Sequence, residues 1–285
     1  MKKLLFVSFA SLSSITHANA HLVMSYVEVN SNQLSNVGCF VRSDNNQPLI
    51  QMTSIFAANI NGDNPNNPVI YFNPQVMNLL SNDYKQIEDL QKKGIKVLIT
   101  LLGNHQNAGW ACMTNTLSKI KFAKDIVKIV NKYKLDGVDI DDEYSNCSTN
   151  ENSLADLAQL IKADPAFKNK ILSKALFSDS FEFSNHKLAK YLDFGWEMTY
   201  SSNNFAGRLN PYLNYGMKKE NLLLGSWTNI NYPSPSSVNQ YTLNNNFAGI
   251  MIYDIKANSQ NFLNSLVQTN TNNSLTINVL PNCLR

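Results

Sequence analysis

Charge is scarce in this sequence of 285 residues: Asp, Glu, Lys and Arg make up 16%, against about 25% in an average soluble domain. The net charge is only +3 and the cationic residues are scattered, which argues against a nucleic-acid surface. Lys121, Lys124, Lys128 and Lys132 do recur at helical spacing, the pattern of one helix's solvated face. The four histidines are dispersed and no two of the four cysteines form a C-x-x-C pair. No zinc site is therefore expected, and no metal or cofactor is implied. No apolar run reaches the ~20 residues that a membrane-spanning helix requires. No Gly-rich turn follows the first candidate strand, as a dinucleotide-binding sheet would want. Internal repeats and low-complexity breaks are also missing, so one domain is expected.

The amino terminus has a different character. Lys2 and Lys3 precede a short apolar run, Leu4 to Ile15, and Ala18-Asn19-Ala20 supplies the small residues that a signal peptidase reads. Residues 1–20 are expected to be a signal peptide cut after Ala20, and residues 21–285 the exported domain. Its destination would be the periplasm or the medium, without a membrane anchor, and a monomer is expected. In an exported chain Cys39, Cys112, Cys147 and Cys283 suggest disulfides. Four cysteines allow three pairings, and their spacing does not choose among them.

Apolar, β-branched runs alternate with longer amphipathic stretches. Candidate strands are 22–29, 53–60, 96–102, 137–143, 170–177, 194–200, 221–227 and 248–255, with helical patterns such as 75–93 and 118–134 between them. The stretch 66–74 reads as an extra strand in an insertion. Strands this apolar, separated by helices, describe a parallel sheet. The fold class is thus α/β, and the count suits a single (β/α)₈ TIM barrel, with irregular or missing helices and a small β insertion after strand two. A doubly wound open sheet has the same local pattern.

Against the scarcity of charge, "GVDIDDEY" (137–144) sets Asp139, Asp141, Asp142 and Glu143 together, and no cation follows until Lys162. Side chains alternate along a strand, so Asp139, Asp141 and Glu143 share a face with Gly137, while Val138 and Ile140 face the covering helices. The acidic set is then inward and stacked toward the strand's carboxyl end, where barrel active sites lie. Neighbouring carboxylates raise one another's pKa, and a carboxyl kept protonated is what a general acid needs. Repulsion is thus a means of holding a proton on Glu143. A calcium loop fits poorly, because Tyr144 stands where its Gly is needed and Asn150 where its bidentate Glu belongs. A solvated acidic turn is the blander reading, and the alternating Val and Ile speak against it.

"DGVDIDDE" resembles the DxxDxDxE signature of family-18 glycoside hydrolases, with Asp136, Asp139, Asp141 and Glu143 in its four places. The likeness is to the branch of endo-β-N-acetylglucosaminidase H and its bacterial relatives. It is carried by "YVEVNSNQLSNVG" (26–38), "IFAANIN" (55–61), "GIKVLITLLGNHQNAGW" (94–110) and "KLDGVDIDDEY" (134–144), and thins beyond residue 150. Chitinases of the family usually carry an aromatic residue where this chain has Asp142. The resemblance implies cleavage between the two core N-acetylglucosamines of an N-linked glycan or glycoprotein, of high-mannose or hybrid class. It implies a retaining, substrate-assisted reaction through an oxazolinium ion. Glu143 would be the acid and then the base. Asp141 would hold the acetamido N–H, Asp139 would support Asp141 and share its proton, and Tyr200 would donate to the acetamido oxygen. Asp136 and Gly137 would be structural.

Further candidates follow from the resemblance together with strand parity and loop position. Tyr26 and Glu28 would line the floor, or fill the barrel core, and Met198 would lie below Tyr200. Asn104, His105 and Gln106, in the third loop and within the matching stretch, would shape the cleft, or His105 would only satisfy loop hydrogen bonds. Trp110 and Trp227, at or beyond strand ends, would be either packing residues or the aromatic platform beneath a sugar, a place for which the resemblance also offers Tyr253 on the eighth strand. On the implied barrel, Cys112 and Cys147 fall in adjacent loops at the mouth, which suggests that pair and leaves Cys39 with Cys283. A chitinase and a non-catalytic glycan-binding protein are the alternatives.

Overall fold

The structure is a computed structural model that describes residues 21–268 and 274–285; the expected signal peptide, residues 1–20, lies outside the described residues. The strands are β1 (Leu22–Glu28), β2 (Phe40–Arg42), β3 (Met52–Asn61), β4 (Val69–Tyr71), β5 (Lys96–Gly103), β6 (Gly137–Asp141), β7 (Ile171–Leu176), β8 (Phe194–Glu197), β9 (Leu222–Trp227), β10 (Gly249–Tyr253) and β11 (Ile277–Val279). The helices are α1 (Pro74–Ser81), α2 (Lys85–Lys92), α3 (Thr116–Lys132), α4 (Ser153–Ala163), α5 (Phe205–Asn214), α6 (Pro235–Asn244) and α7 (Gln260–Val267).

Eight parallel strands follow one another as β1, β3, β5, β6, β7, β8, β9 and β10, and β10 pairs back onto β1. The sheet is a closed TIM barrel. Its helical layer is incomplete in two places: the β1-to-β3 and β7-to-β8 crossings carry short 3₁₀ turns in place of an α-helix. The expected insertion is β4, which runs antiparallel to β3 and extends its end beyond the barrel. The helical pattern over 75–93 is divided into α1 and α2. Asn82 and Asp83, poor helix formers whose side chains compete for backbone groups, occupy the break.

Helix starts are set locally. Asn73, Asn115, Asn204 and Ser234 each cap a helix by accepting a bond from the backbone N–H three residues on, and Pro74 and Pro235 follow two of them. Strand alternation then sorts the core into two layers. Val23, Val27, Ile55, Val97, Ile99, Val138 and Ile140 face outward onto the helices, including Phe122, Ile126 and Val130 of α3. Met24, Met52, Leu98, Trp196, Leu223 and Met251 face inward and fill the barrel.

Both expected disulfides are present, Cys39–Cys283 and Cys112–Cys147, with Cα separations of 5.5 and 5.8 Å. The first joins the carboxyl-terminal segment to the β1–β3 connection, where β11 also pairs with β2. Asn36 and Arg285 reinforce the junction by exchanging two hydrogen bonds, at 3.0 and 2.9 Å. This bridge closes a loop of 244 residues. Replacing Cys39 and Cys283 by Ser should therefore lower stability by about 2–5 kcal/mol in urea titration, with little change in activity at the distant mouth.

Candidate active site

The site grows from β6. Asp139 is fully buried at mid-barrel, where three hydroxyls converge on it. Tyr26 from β1 (2.7 Å) and Thr100 from β5 (3.0 Å) donate to Oδ2, and Ser173 from β7 donates to Oδ1 (2.8 Å). Ser54 of β3 shares a further bond with Thr100 at 2.7 Å, and Trp196 of β8 donates its indole N–H to the Tyr26 hydroxyl at 2.5 Å. Burial raises the Asp139 pKa to about 6, although the three hydroxyl bonds favour the charged form. Sequence reasoning did not single out Ser54, Thr100, Ser173 or Trp196. Their inward parity was readable, but small hydroxyls inside apolar strands carry no distinctive signal.

One step up the same face is Asp141. Burial, and then the nearby charges of Glu143 and Asp139, push its pKa well above the ordinary range. The strand ends there, and the chain turns through Tyr144, which adopts φ 60°. The turn is held by the loop after β5: Gly103 N–H donates to the Glu143 carbonyl (3.1 Å) and His105 N–H to that of Tyr144 (2.6 Å). Only glycine allows this approach, because a Cβ on Gly103 would lie 2.2 Å from the Glu143 oxygen. Glu143 is half-buried at the cavity wall, and burial first, then Asp179, raises its pKa. The expected repulsion falls unequally on the two acids. Repulsion from neighbouring site carboxylates acts mainly on Asp141, and Glu143 is raised chiefly by desolvation.

A cation does accompany the carboxylates. Lys174 of β7 is fully buried behind β6, and its charge favours ionisation of Asp139, Asp141, Asp142 and Glu143. It is remote in sequence but is brought alongside because β7 is hydrogen-bonded to β6.

Asp141 and Glu143 open into a cavity of about 440 Å³ at the carboxyl ends of the strands. Tyr26, Phe56, Leu102, Tyr144, Phe177, Met198, Tyr200, Trp227 and Tyr253 form the rest of its wall. Trp227 and Tyr253 meet edge to face at 5.7 Å between centroids, and Phe56 and Tyr253 at 5.4 Å. Tyr200 sits 5.8 Å from Trp227. Burial first, then Asp141, raises the Tyr200 pKa well above normal, so its hydroxyl stays a donor.

The other candidates are placed elsewhere. Glu28 is at the rim, bonded by the Asn30 amide (2.6 Å). Asn104 donates to Asn61 (2.7 Å), Gln106 accepts from Gly62 N–H (2.7 Å), and the exposed His105 ring rests against Tyr144 at 5.1 Å. These three brace loops around the cleft. Trp110 is a correction: it is completely buried behind β5 against Phe122, with its indole bonded to the Leu101 carbonyl at 2.8 Å. Its ring has no face free for a sugar. Asp136 lies at the opposite end of β6, taking bonds from Val97 N–H (2.9 Å), Gln91 (3.0 Å) and Lys96 (3.1 Å). Gly137 is packed so closely that a Cβ would lie 2.1 Å from the Ile171 oxygen. Phe56, Leu102, Tyr144 and Phe177 line the cavity without having been singled out. Extending the inward parity to the end of each strand would have found Phe56, Leu102 and Phe177.

A sequence model described as "Glycosyl hydrolases family 18" matches residues 6–236. The chain belongs to glycosyl hydrolase family 18. Within that family it is 37% identical over 186 residues to "Endo-beta-N-acetylglucosaminidase" of Flavobacterium sp. (strain SK1022), covering 63% of this chain and 59% of that protein. It is 31% identical over 267 residues to "Endo-beta-N-acetylglucosaminidase F1" of Elizabethkingia meningoseptica, covering 89% and 76% respectively. The chain thus spans about three fifths of one curated relative and three quarters of the other. Bacteroides thetaiotamicron EndoBT-3987, solved with Man5GlcNAc product and with Man9GlcNAc2Asn substrate, shares the fold with TM-scores of 0.68 at 21% and 20% identity. Those alignments cover 91% of this family-18 chain, and 62% and 67% of the two solved chains.

Proposed function

We propose that the chain is an endo-β-N-acetylglucosaminidase that cuts the β-1,4 bond between the two core N-acetylglucosamines of high-mannose or hybrid N-glycans. The observation that carries this is the delivery of Asp141 and Glu143 from one strand end into an aromatic-walled cavity, with the Tyr200 hydroxyl on the same wall. The names of the two sequence relatives support the activity, and the ligands bound to EndoBT-3987 support the substrate class.

In this reading the acetamido oxygen of the bound sugar attacks its own anomeric carbon. Tyr200 orients that oxygen, and Asp141 takes the acetamido N–H and the positive charge that develops on it. Glu143 protonates the leaving oxygen. The oxazolinium ion is then opened by water that Glu143 deprotonates from the same side, so configuration is retained. Asp139, held by three hydroxyls, supports Asp141 from below and exchanges a proton with it. Export is part of the proposal, and the two disulfides support an oxidising compartment.

Trp227 and Tyr253 are the platform under the sugar. Trp227→Ala should raise KM by about 3- to 10-fold while changing kcat less, as steady-state kinetics on a labelled glycopeptide will reveal. The activity itself is tested by mass spectrometry of a high-mannose glycoprotein incubated with residues 21–285. The expected product is protein with one N-acetylglucosamine on each Asn, and a released glycan one sugar short. An unchanged glycoprotein together with cleavage of chitin oligomers would make the chain a chitinase. Binding without cleavage of either would make it a lectin-like member.

A further inference from the structure

Behind the catalytic strand, on the face away from the cavity, lies a second group of ionisable side chains. Asp142 points there because strand alternation turns it opposite to Asp141 and Glu143. Its carboxyl contacts that of Glu182, which belongs to the 3₁₀ turn Ser180–Phe183 after β7. Asp142 Oδ1 is sealed from solvent and receives no N–H or hydroxyl donor. Lys174 is completely buried between the two loops, paired with Asp179 and lying 3.1 Å from Glu182. Tyr212 of α5 donates to Asp179 at 2.7 Å, and Arg208 of α5 pairs with Glu197 of β8.

Two ionised carboxylates offer each other only acceptors, so their buried contact requires a bridging proton. The charges agree. Lys174 and Asp179 balance each other, and the remaining two acids sit where two negative charges would be uncompensated. Burial, only partly opposed by Lys174, raises the pKa of both Glu182 and Asp142 above the ordinary carboxylate range. The pair joins the loops after β6 and β7 next to Glu143. With Asp142 fixed outward, the residue that follows it is committed to the cavity.

We propose that Asp142 and Glu182 share one proton, and that this carboxyl–carboxylate clamp, set against the buried Lys174–Asp179 ion pair, is a positioning pair that holds Glu143 in its working orientation. Neither member touches substrate. The proposal rests on the hydrolase reading above for its kinetic consequence, but not for the existence of the clamp.

The experiment combines kinetics and infrared spectroscopy on residues 21–285 with both disulfides formed. Glu182→Ala leaves Asp142 unbridged and should lower kcat on a high-mannose glycopeptide about tenfold or more, with KM nearly unchanged. Glu182→Gln supplies an N–H to Asp142 and an oxygen to Lys174, and should recover most of that kcat. Wild type minus E182Q spectra should show the carbonyl stretch of a protonated carboxylic acid. Wild-type kcat in Glu182→Ala, or a Glu182→Gln as impaired as Glu182→Ala, would overturn the positioning role. Should Glu182→Ala not fold, absence of the infrared band in wild type still overturns the shared proton. A wild type inactive on every glycan would instead overturn the hydrolase reading, while the band continues to test the clamp.

Discussion

Glu143→Gln should reduce kcat by about a thousandfold or more, because in the proposed mechanism the same side chain acts as acid in one step and base in the next. The amide keeps the size and polarity of the carboxyl but gives up no proton and takes none. Glu143 lies on the cavity wall without bridging other elements through its side chain, so the variant should fold normally and still bind glycan. Calorimetric titration with a high-mannose glycopeptide will show this as wild-type-like affinity beside lost turnover. The pH profile supplies a second sign. The acid must be protonated in the free enzyme, so kcat/KM falls as pH rises through its pKa. That pKa is raised by burial and by Asp179. The alkaline limb should therefore lie above that of an ordinary glutamate, and the residual activity of Glu143→Gln should lack it. A variant that retained turnover would move the acid to another residue.

Asp141→Asn should lower kcat by about a hundred- to a thousandfold, the range seen when a group aimed at developing charge is removed. Asp141 contributes charge where the oxazolinium forms, and an asparagine amide presents a dipole instead. Its loss acts on ring formation more than on ring opening. A synthetic sugar oxazoline, in which that ring already exists, should consequently be consumed by Asp141→Asn far faster, relative to wild type, than the intact glycan is. Equal impairment on both donors would assign Asp141 to general site structure. Burial, with the charges of Glu143 and Asp139, raises the pKa of this carboxyl, so the low-pH limb of wild-type activity should lie above that of an ordinary aspartate and be missing in Asp141→Asn.

The residues divide by how their positions were specified. The barrel, the β insertion, and the order of Asp139, Asp141 and Glu143 were readable, since period-two alternation and apolar runs are local properties of the chain. Asp136 could be set apart from Asp139, Asp141 and Glu143 by parity alone, and the structure ties it to Lys96 at the other end of β6. The disulfides needed the resemblance to a barrel before their loops became neighbours. Trp110 could not be placed, because a loop's route decides whether an indole faces a sugar or Phe122.

What the sequence by itself determined, then, is the set of strands and which face of each is apolar, acidic or aromatic, because these depend on residues two or four positions apart. Only the tertiary structure decided what those faces meet. Barrel closure brings Tyr26 of the first strand onto Asp139, 113 positions away. The pairing of β6 with β7 places Lys174 behind the carboxylates and sets the loops of Asp142 and Glu182 side by side. Those contacts depend on the register between strands, and pairwise burial and charge act through space without leaving a pattern along the chain.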